Sequence, residues 1–251
     1  MPESPEKSTR NLSFGSVAAD YERYRLEYPD DVVDAVLRSA GGPVRSALEV
    51  GAGTGKATRR FAARGLAVTA LEPDPRMAEM LATTTRELPV TPIVSTFEAF
   101  STADRFDLVY AAASWHWVDP AVRTAHAAEL LAPGGVLALI GMLGDLADPG
   151  LSEAVDAIER RAFPSRVGNT ISPWSIEELT GHDAFTDVEQ RTLQHPLTST
   201  PDEFIGRLGT VSAYLMLDPD ERVRAFDRIR AVLPDRFELD GAVQLVLARR
   251  R

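Results

Sequence analysis

Cysteine is absent from this chain of 251 residues. That removes disulfides, thiolate catalysis and Cys–zinc sites together, and it suits a cytoplasmic protein. Lysine is scarce as well: Lys7 and Lys56 are the only two among 27 basic residues. The nearest thing to a basic run is the RRR at 249–251, which reads as a frayed tail. With a net charge of −10, a broad phosphate-binding face is excluded, and nucleic acid is not an expected partner. No apolar run approaches the ~18–20 residues of a membrane span, so no membrane partner is expected either. The opening MPESPEKSTRN lacks the apolar core of a signal peptide, and residues 1–13 read as a disordered leader. What is present, 44% hydrophobic and 25% charged residues, is ordinary for a globular chain, and the length suits one large α/β domain.

Apolar β-rich runs alternate with helical patterns, which predicts a parallel sheet with helices on its faces. Expected strands are 46–50, 67–71, 90–94, 106–112, 136–141, 185–193 and 242–250, seven in all. The last two are joined by a long helical excursion. Helical patterns cover 56–65, 75–88 and 120–135, the last stopped by Pro133-Gly134-Gly135. Further helices are expected at 148–163, from a capping box at Ser175 and Glu178, and after Thr200-Pro201-Asp202-Glu203 and Asp218-Pro219-Asp220-Glu221.

ALEVGAGTGKATRRF (47–61) packs three glycines into five residues behind a short apolar run. A phosphate-binding P-loop needs G-x-x-x-x-G-K-[ST]. Here Gly51 stands one residue too close to Gly55-Lys56, and Ala57 replaces the hydroxyl. The dinucleotide fingerprint G-x-G-x-x-G fails at Lys56, where its third glycine belongs. The remaining pattern is E-x-G-x-G-x-G, from Glu49 through Gly51 and Gly53 to Gly55. An acid at the strand end suits a ligand carrying positive charge, such as the amino group of S-adenosylmethionine. Glu72 ends the next strand 23 residues later, where an adenosyl ribose offers its hydroxyls.

With these motifs the sequence resembles the class I S-adenosylmethionine-dependent methyltransferases. It is most similar to their small-molecule branch (the type 11-like members), with Y-x-x-x-R-x-x-Y-P near the start and H-W after the fourth strand. FGSVAADYERYRLEYP, LEVGAGTGKATRRF, ALEPDPRM, STFEAF, DLVYAAASWHWVDP and LLAPGGVLAL follow in the family's order. The resemblance implies a seven-stranded Rossmann-like doubly wound sheet, mostly parallel with the last strand antiparallel, in a single domain. Within it, 14–45 is a helical lid, 46–141 the cofactor half, and 142–251 the substrate-side helices with the last two strands. Substrate choice is expected to reside in the lid and in the helices at 149–182 and 200–235.

The resemblance also implies roles. Gly51, Ala52, Gly53 and Gly55 would wrap the methionine part of S-adenosylmethionine and Glu72 would take the ribose hydroxyls. Pro73, Thr96 and Phe97 would lie by the adenine, and Ala112 would touch the cofactor from the fourth strand. Thr96 stands where the family often carries an acid. Tyr21, Tyr24, Arg25 and Trp115 are candidate substrate-binding residues. Arg25 either pairs a substrate carboxylate or pins the lid by a salt bridge. His116 either serves as general base or is a wall or loop residue. His126, His182 and His195 lack metal-ligand spacing, and no metal is expected. The implied reaction is methyl transfer to oxygen or nitrogen of a small molecule, such as an organic acid or natural-product intermediate. Competing readings are a protein or tRNA methyltransferase, a non-catalytic adenosyl-cofactor-binding protein, and an NAD-binding Rossmann-like protein.

Overall fold

A computed structural model describes residues 14–142, 144–163 and 176–251. The expected leader and Ser175 lie outside these residues. The sheet is built from β1 (Ser46–Val50), β2 (Ala67–Leu71), β3 (Val90–Ile93), β4 (Phe106–Ala112), β5 (Leu131–Met142) and β6 (Phe185–Leu193), with β9 (Val243–Arg250). Their order is β3-β2-β1-β4-β5-β9-β6. β9 pairs antiparallel with both β5 and β6, so six strands share one direction and the last opposes them from the second place in the sheet. β7 (Leu197–Ser199) and β8 (Phe237–Leu239) form a separate antiparallel pair inside the helical excursion, beyond the seven strands expected.

The sheet holds because both faces of its strands are apolar. Side chains alternate across a strand, and along β4 and β5 the alternation feeds two cores. Leu108, Tyr110, Val136, Ala138 and Ile140 face one layer with Phe61 and Leu81. Val109, Ala111, Leu137 and Leu139 face the other with Leu48 and Trp115.

The helices are α1 (Ala18–Tyr24), α2 (Asp30–Ser39), α3 (Lys56–Ala62), α4 (Pro75–Thr85), α5 (Arg123–Leu130), α6 (Pro149–Ala162), α7 (Ile176–Thr180), α8 (Pro201–Leu208), α9 (Ser212–Leu215) and α10 (Pro219–Val232). A third apolar cluster, including Ile158, Phe204, Tyr214 and Ile229, packs α6, α8, α9 and α10 together.

Local chemistry sets the helix starts. At α8 the expected capping box forms in both directions between Thr200 and Glu203. Asp218 caps α10 by accepting from the Asp220 and Glu221 N–H groups. α5 stops at Leu130, five residues before the end of the 120–135 pattern. The LAPGG stretch instead bulges the entry to β5, with pairing jumping from Phe106–Leu131 to Leu108–Val136. Glu178 accepts from the Arg123 guanidinium and the Thr124 hydroxyl, joining α7 to α5.

Candidate active site

The turn from β1 into α3 runs through Gly51, Gly53 and Gly55, all in the left-handed region with φ of +67°, +60° and +93°. Two of these glycines are also sterically fixed. A Cβ on Gly51 would lie 2.6 Å from Ser114 Cβ, and one on Gly55 would lie 2.9 Å from Leu81. At Gly53 the nearest atoms stand 3.7 and 3.8 Å away, the second belonging to Tyr21. The loop is therefore tightly packed at its two ends and in ordinary van der Waals contact with Met77 and Tyr21 at its middle.

Two buried acids flank the loop. Glu49, at 1% exposure, accepts hydrogen bonds from the Thr58 hydroxyl at 2.5 Å and the Tyr110 hydroxyl at 2.8 Å. Burial pushes its carboxyl up to about 8, against the pull of those two donors and with Glu72 adding to the rise. Glu72, at 7% exposure, accepts the Gly53 N–H at 2.8 Å and the Asp74 N–H at 3.0 Å, one on each oxygen. Burial raises it to about 7 despite those bonds. Each oxygen of a carboxylate has a second acceptor site, so Glu72 can serve the loop and a ligand at once.

Both acids stand at the carboxyl ends of parallel strands, where open α/β sheets bind ligands. A cleft of about 570 Å³, counting its open mouth, lies beside Glu49; Glu72, Gly53 and Gly55 are not among the residues that line it. Glu49, Gly51, Ala52, Lys56 and Ala112 line it from the sheet side, with Ala113, whose φ of +56° is unusual outside glycine. Tyr21, Arg25 and Tyr28 line it from the N-terminal segment, and Met142 and Arg207 complete the wall.

The N-terminal segment forms one wall of the cleft. The Gly15 N–H donates to Asp74 at 3.0 Å, and Phe14 packs edge-on against Tyr21 and Trp117. Tyr21 lies under the Arg25 guanidinium, 5.0 Å from it. Arg25 pins the segment, but through hydrogen bonds to the Thr210 hydroxyl at 2.8 Å and the Thr210 carbonyl at 2.9 Å. The expected alternative of a salt bridge to the sheet is replaced by a neutral anchor on the helical excursion. Tyr24 is absent from the cleft wall. Its ring seats against Gly206 of α8, where a Cβ would stand 2.6 Å away.

The remaining expected residues are more dispersed. Trp115 is wholly buried in the core with Phe97, ring centroids 5.9 Å apart, and does not line the cleft. Its ring is a large apolar body at the base of a sheet, where core packing is the stronger demand. Phe97 likewise points into that core, and exposed Thr96 accepts the Ala99 N–H at 3.3 Å. Pro73 is half-buried between Glu72 and Asp74. His116 sits on the 3-10 turn Trp115–Trp117, its ring 4.8 Å from that of Trp117, and is not among the cleft-lining residues.

Lys56, Ala113 and Arg207 are among the cleft residues that went unmarked as site candidates. Lys56 is buried and ion-paired with Glu27 at 2.6 Å. Burial alone would raise Glu27, but Lys56, Arg59 and Arg60 hold it below the usual range. Glu27 and Lys56 carried a signal: acids at 22, 27, 30 and 34 match cations at 56, 59, 60 and 64 on one face of α3 and just beyond it. Ala113 and Arg207 had none.

A family model for a methyltransferase domain matches residues 48–139. Uncharacterized methyltransferases of Mycobacterium tuberculosis (strain H37Rv) and Mycobacterium bovis are each 33% identical over 225 residues, 89% of this chain and 86% of theirs. The chain belongs to the class I S-adenosylmethionine-dependent methyltransferases. Among solved structures, this methyltransferase is similar in fold to an Anaeromyxobacter dehalogenans protein provisionally assigned as a type II methyltransferase. The TM-score is 0.60 at 24% identity, over 90% of this chain and 97% of the other. The YcgJ protein of Bacillus subtilis superposes with a TM-score of 0.59 at 18% identity, over 88% and 98% of the two chains. The methyltransferase uses S-adenosylmethionine as its methyl donor, and the loop described above suits it: a positive-φ glycine turn beside two buried acids.

Proposed function

We propose that this methyltransferase alkylates an oxygen or nitrogen of a small organic molecule and works in the cytoplasm. The observation that supports it best is the make-up of the cleft, which draws on the glycine turn, the N-terminal segment and the helical excursion together. A small acceptor held between these three parts would meet the donor at the sheet edge. In this reading 14–45 is the lid, 46–141 holds the cofactor, and 142–251 shapes the acceptor site within one domain.

When bound, S-adenosylmethionine supplies a sulfonium-borne methyl as electrophile. Glu49 and the turn Gly51–Gly55, with Ala52, would hold its methionine end, Glu72 its ribose, and Pro73, Thr96 and Phe97 its adenine edge. Ala112 would bound it from β4. The chain's own task is then positional: keeping the acceptor atom in line is the large part of the barrier that a protein can remove. Tyr21 walls the cleft beside Gly53, and Arg25 fastens that wall to Thr210. An acceptor that arrives ionised needs no base, and His116 in this reading braces the turn after β4 against Trp117.

Calorimetry with S-adenosylmethionine, S-adenosylhomocysteine and NAD tests the cofactor assignment. Both sulfur ligands should bind, and binding of NAD alone would overturn it. Labelled methyl donor should then mark one or more members of a panel of carboxylic acids, phenols and amines. Label entering only tRNA or protein would remove the small-molecule reading.

A further inference from the structure

The geometry points to an anion-binding pair, Arg25 and Arg207, that receives a carboxylate of the methyl acceptor; this rests on the methyltransferase reading of the cleft. Both arginines line the cleft. Arg207, on α8, donates one bond to the Gly144 carbonyl at 2.5 Å and stacks on Phe204 at 5.0 Å. Its Nε is buried without a hydrogen-bond partner among the described residues. Arg25 spends Nε and one Nη2 donor on Thr210. A guanidinium has five N–H donors, so most of both forks remain for a ligand.

Neither guanidinium makes an ion pair with a carboxylate among the described residues. The other deeply placed cations do: Lys56 has Glu27, and Arg123 has Glu178. That contrast matters in a chain with 37 acidic residues against 27 basic ones. Burial, and after it the neighbouring charge of Arg25, lower Arg207 to about 10, while Asp145 and Asp240 act on it in the opposite direction without a direct ion pair. Two like charges facing one partly buried cleft are held at a cost that an anion between them removes. Planar forks match a carboxylate bidentately, and the same chemistry would accept a phosphate or sulfonate. The cofactor's own carboxylate is the other source of such an anion.

The test uses the full chain loaded with S-adenosylhomocysteine. Benzoate, succinate and citrate are titrated against their amides, with inorganic phosphate as a further probe. At least one carboxylate should bind tenfold or more tighter than its amide, and R207Q should abolish that gap. R207K, which keeps the charge but loses the fork, should keep only part of it, and a thermal melt on each variant separates lost binding from lost folding. Should R207Q not fold, the carboxylate-to-amide ratio in the unaltered protein, with R25K, decides alone. No preference for any anion over its neutral partner overturns the inference, while intact binding of S-adenosylhomocysteine leaves the methyltransferase reading standing. Tighter binding of phosphate than of every carboxylate overturns the carboxylate assignment. If R207Q instead erases the protein's preference for S-adenosylhomocysteine over 5′-methylthioadenosine, which lacks the amino-acid end, the pair serves the cofactor and the acceptor assignment falls.

Discussion

Single carboxylates in this methyltransferase carry two duties each, and substitutions at them read out both. Glu72 closes the glycine turn through the Gly53 and Asp74 N–H groups and is the proposed ribose ligand. E72A should weaken S-adenosylhomocysteine at least tenfold by calorimetry, from hydrogen bonds to a charged acceptor worth ~1.5–3 kcal/mol each. It should also lower stability by about 1–3 kcal/mol, since two backbone donors lose their acceptor. Glu49 gives a pH dependence. Its folded value near 8 exceeds the ordinary carboxylate value, so its protonated form stabilises the fold at low pH. That contribution is fully present below about 4.5 and lost as pH rises through about 8. Thermal melts of the ligand-free protein should show a loss on the order of a few kcal/mol over this window, smaller in E49Q. A ligand ammonium beside Glu49 removes the loss, so stabilisation by S-adenosylhomocysteine should grow with pH; a pH-independent increment would place the ammonium elsewhere. H116Q tests the bracing role: turnover should fall less than ~10-fold with no rescue at high pH, whereas a general base would cost ~10²–10⁴-fold. The acids and glycines were legible in sequence because each answers a local demand, a strand end or a positive φ. Arg207 was not, because IGRLG has no local pattern and its neighbours Gly144 and Arg25 are distant along the chain.

At the scale of elements, the segment from Phe14 to Tyr28 is fastened at separate points of different chemistry. Gly15 meets Asp74, Arg25 meets Thr210, Tyr24 fills the hollow over Gly206, and Glu22 and Glu27 meet Arg59 and Lys56. The Gly15 contact is the most sensitive to size, because a Cβ there would lie 2.3 Å from the Asp74 carboxylate. G15A should free Phe14–Val17 while leaving the core intact. Hydrogen exchange should rise about tenfold or more over α1, with the global unfolding midpoint scarcely changed and cofactor affinity several-fold weaker. Equal protection in both proteins would show that the other fastenings suffice. Strand positions were readable here because β1, β4, β5 and β9 are apolar on both faces and bounded by turns. β7 and β8 were not, since three residues cannot display a period; they exist only because Leu197–Ser199 meets Leu239–Phe237 across the excursion.

Taken whole, the molecule is closed by its last strand. β9 pairs along seven positions with β5 and seven with β6, and Arg249 reaches back to the Ser39, Ala40 and Gly134 carbonyls. The doubly wound order was legible from the alternation of strands and helices; the antiparallel direction of the last strand came from the family resemblance, since no residue in AVQLVLARR states it, and its place between β5 and β6 came only from the structure. The placement has a consequence for synthesis. On the ribosome, strands β1–β5 emerge about a hundred residues ahead of Val243, so the β5 edge waits, apolar on both sides and unpaired, until the final strand arrives. Such an edge is a template for pairing with other chains. A fragment ending at Met142 should therefore contain the whole glycine turn yet accumulate as aggregate, and adding the 243–250 peptide in trans should recover soluble material; a soluble, monomeric fragment would show that the nascent half protects its own edge.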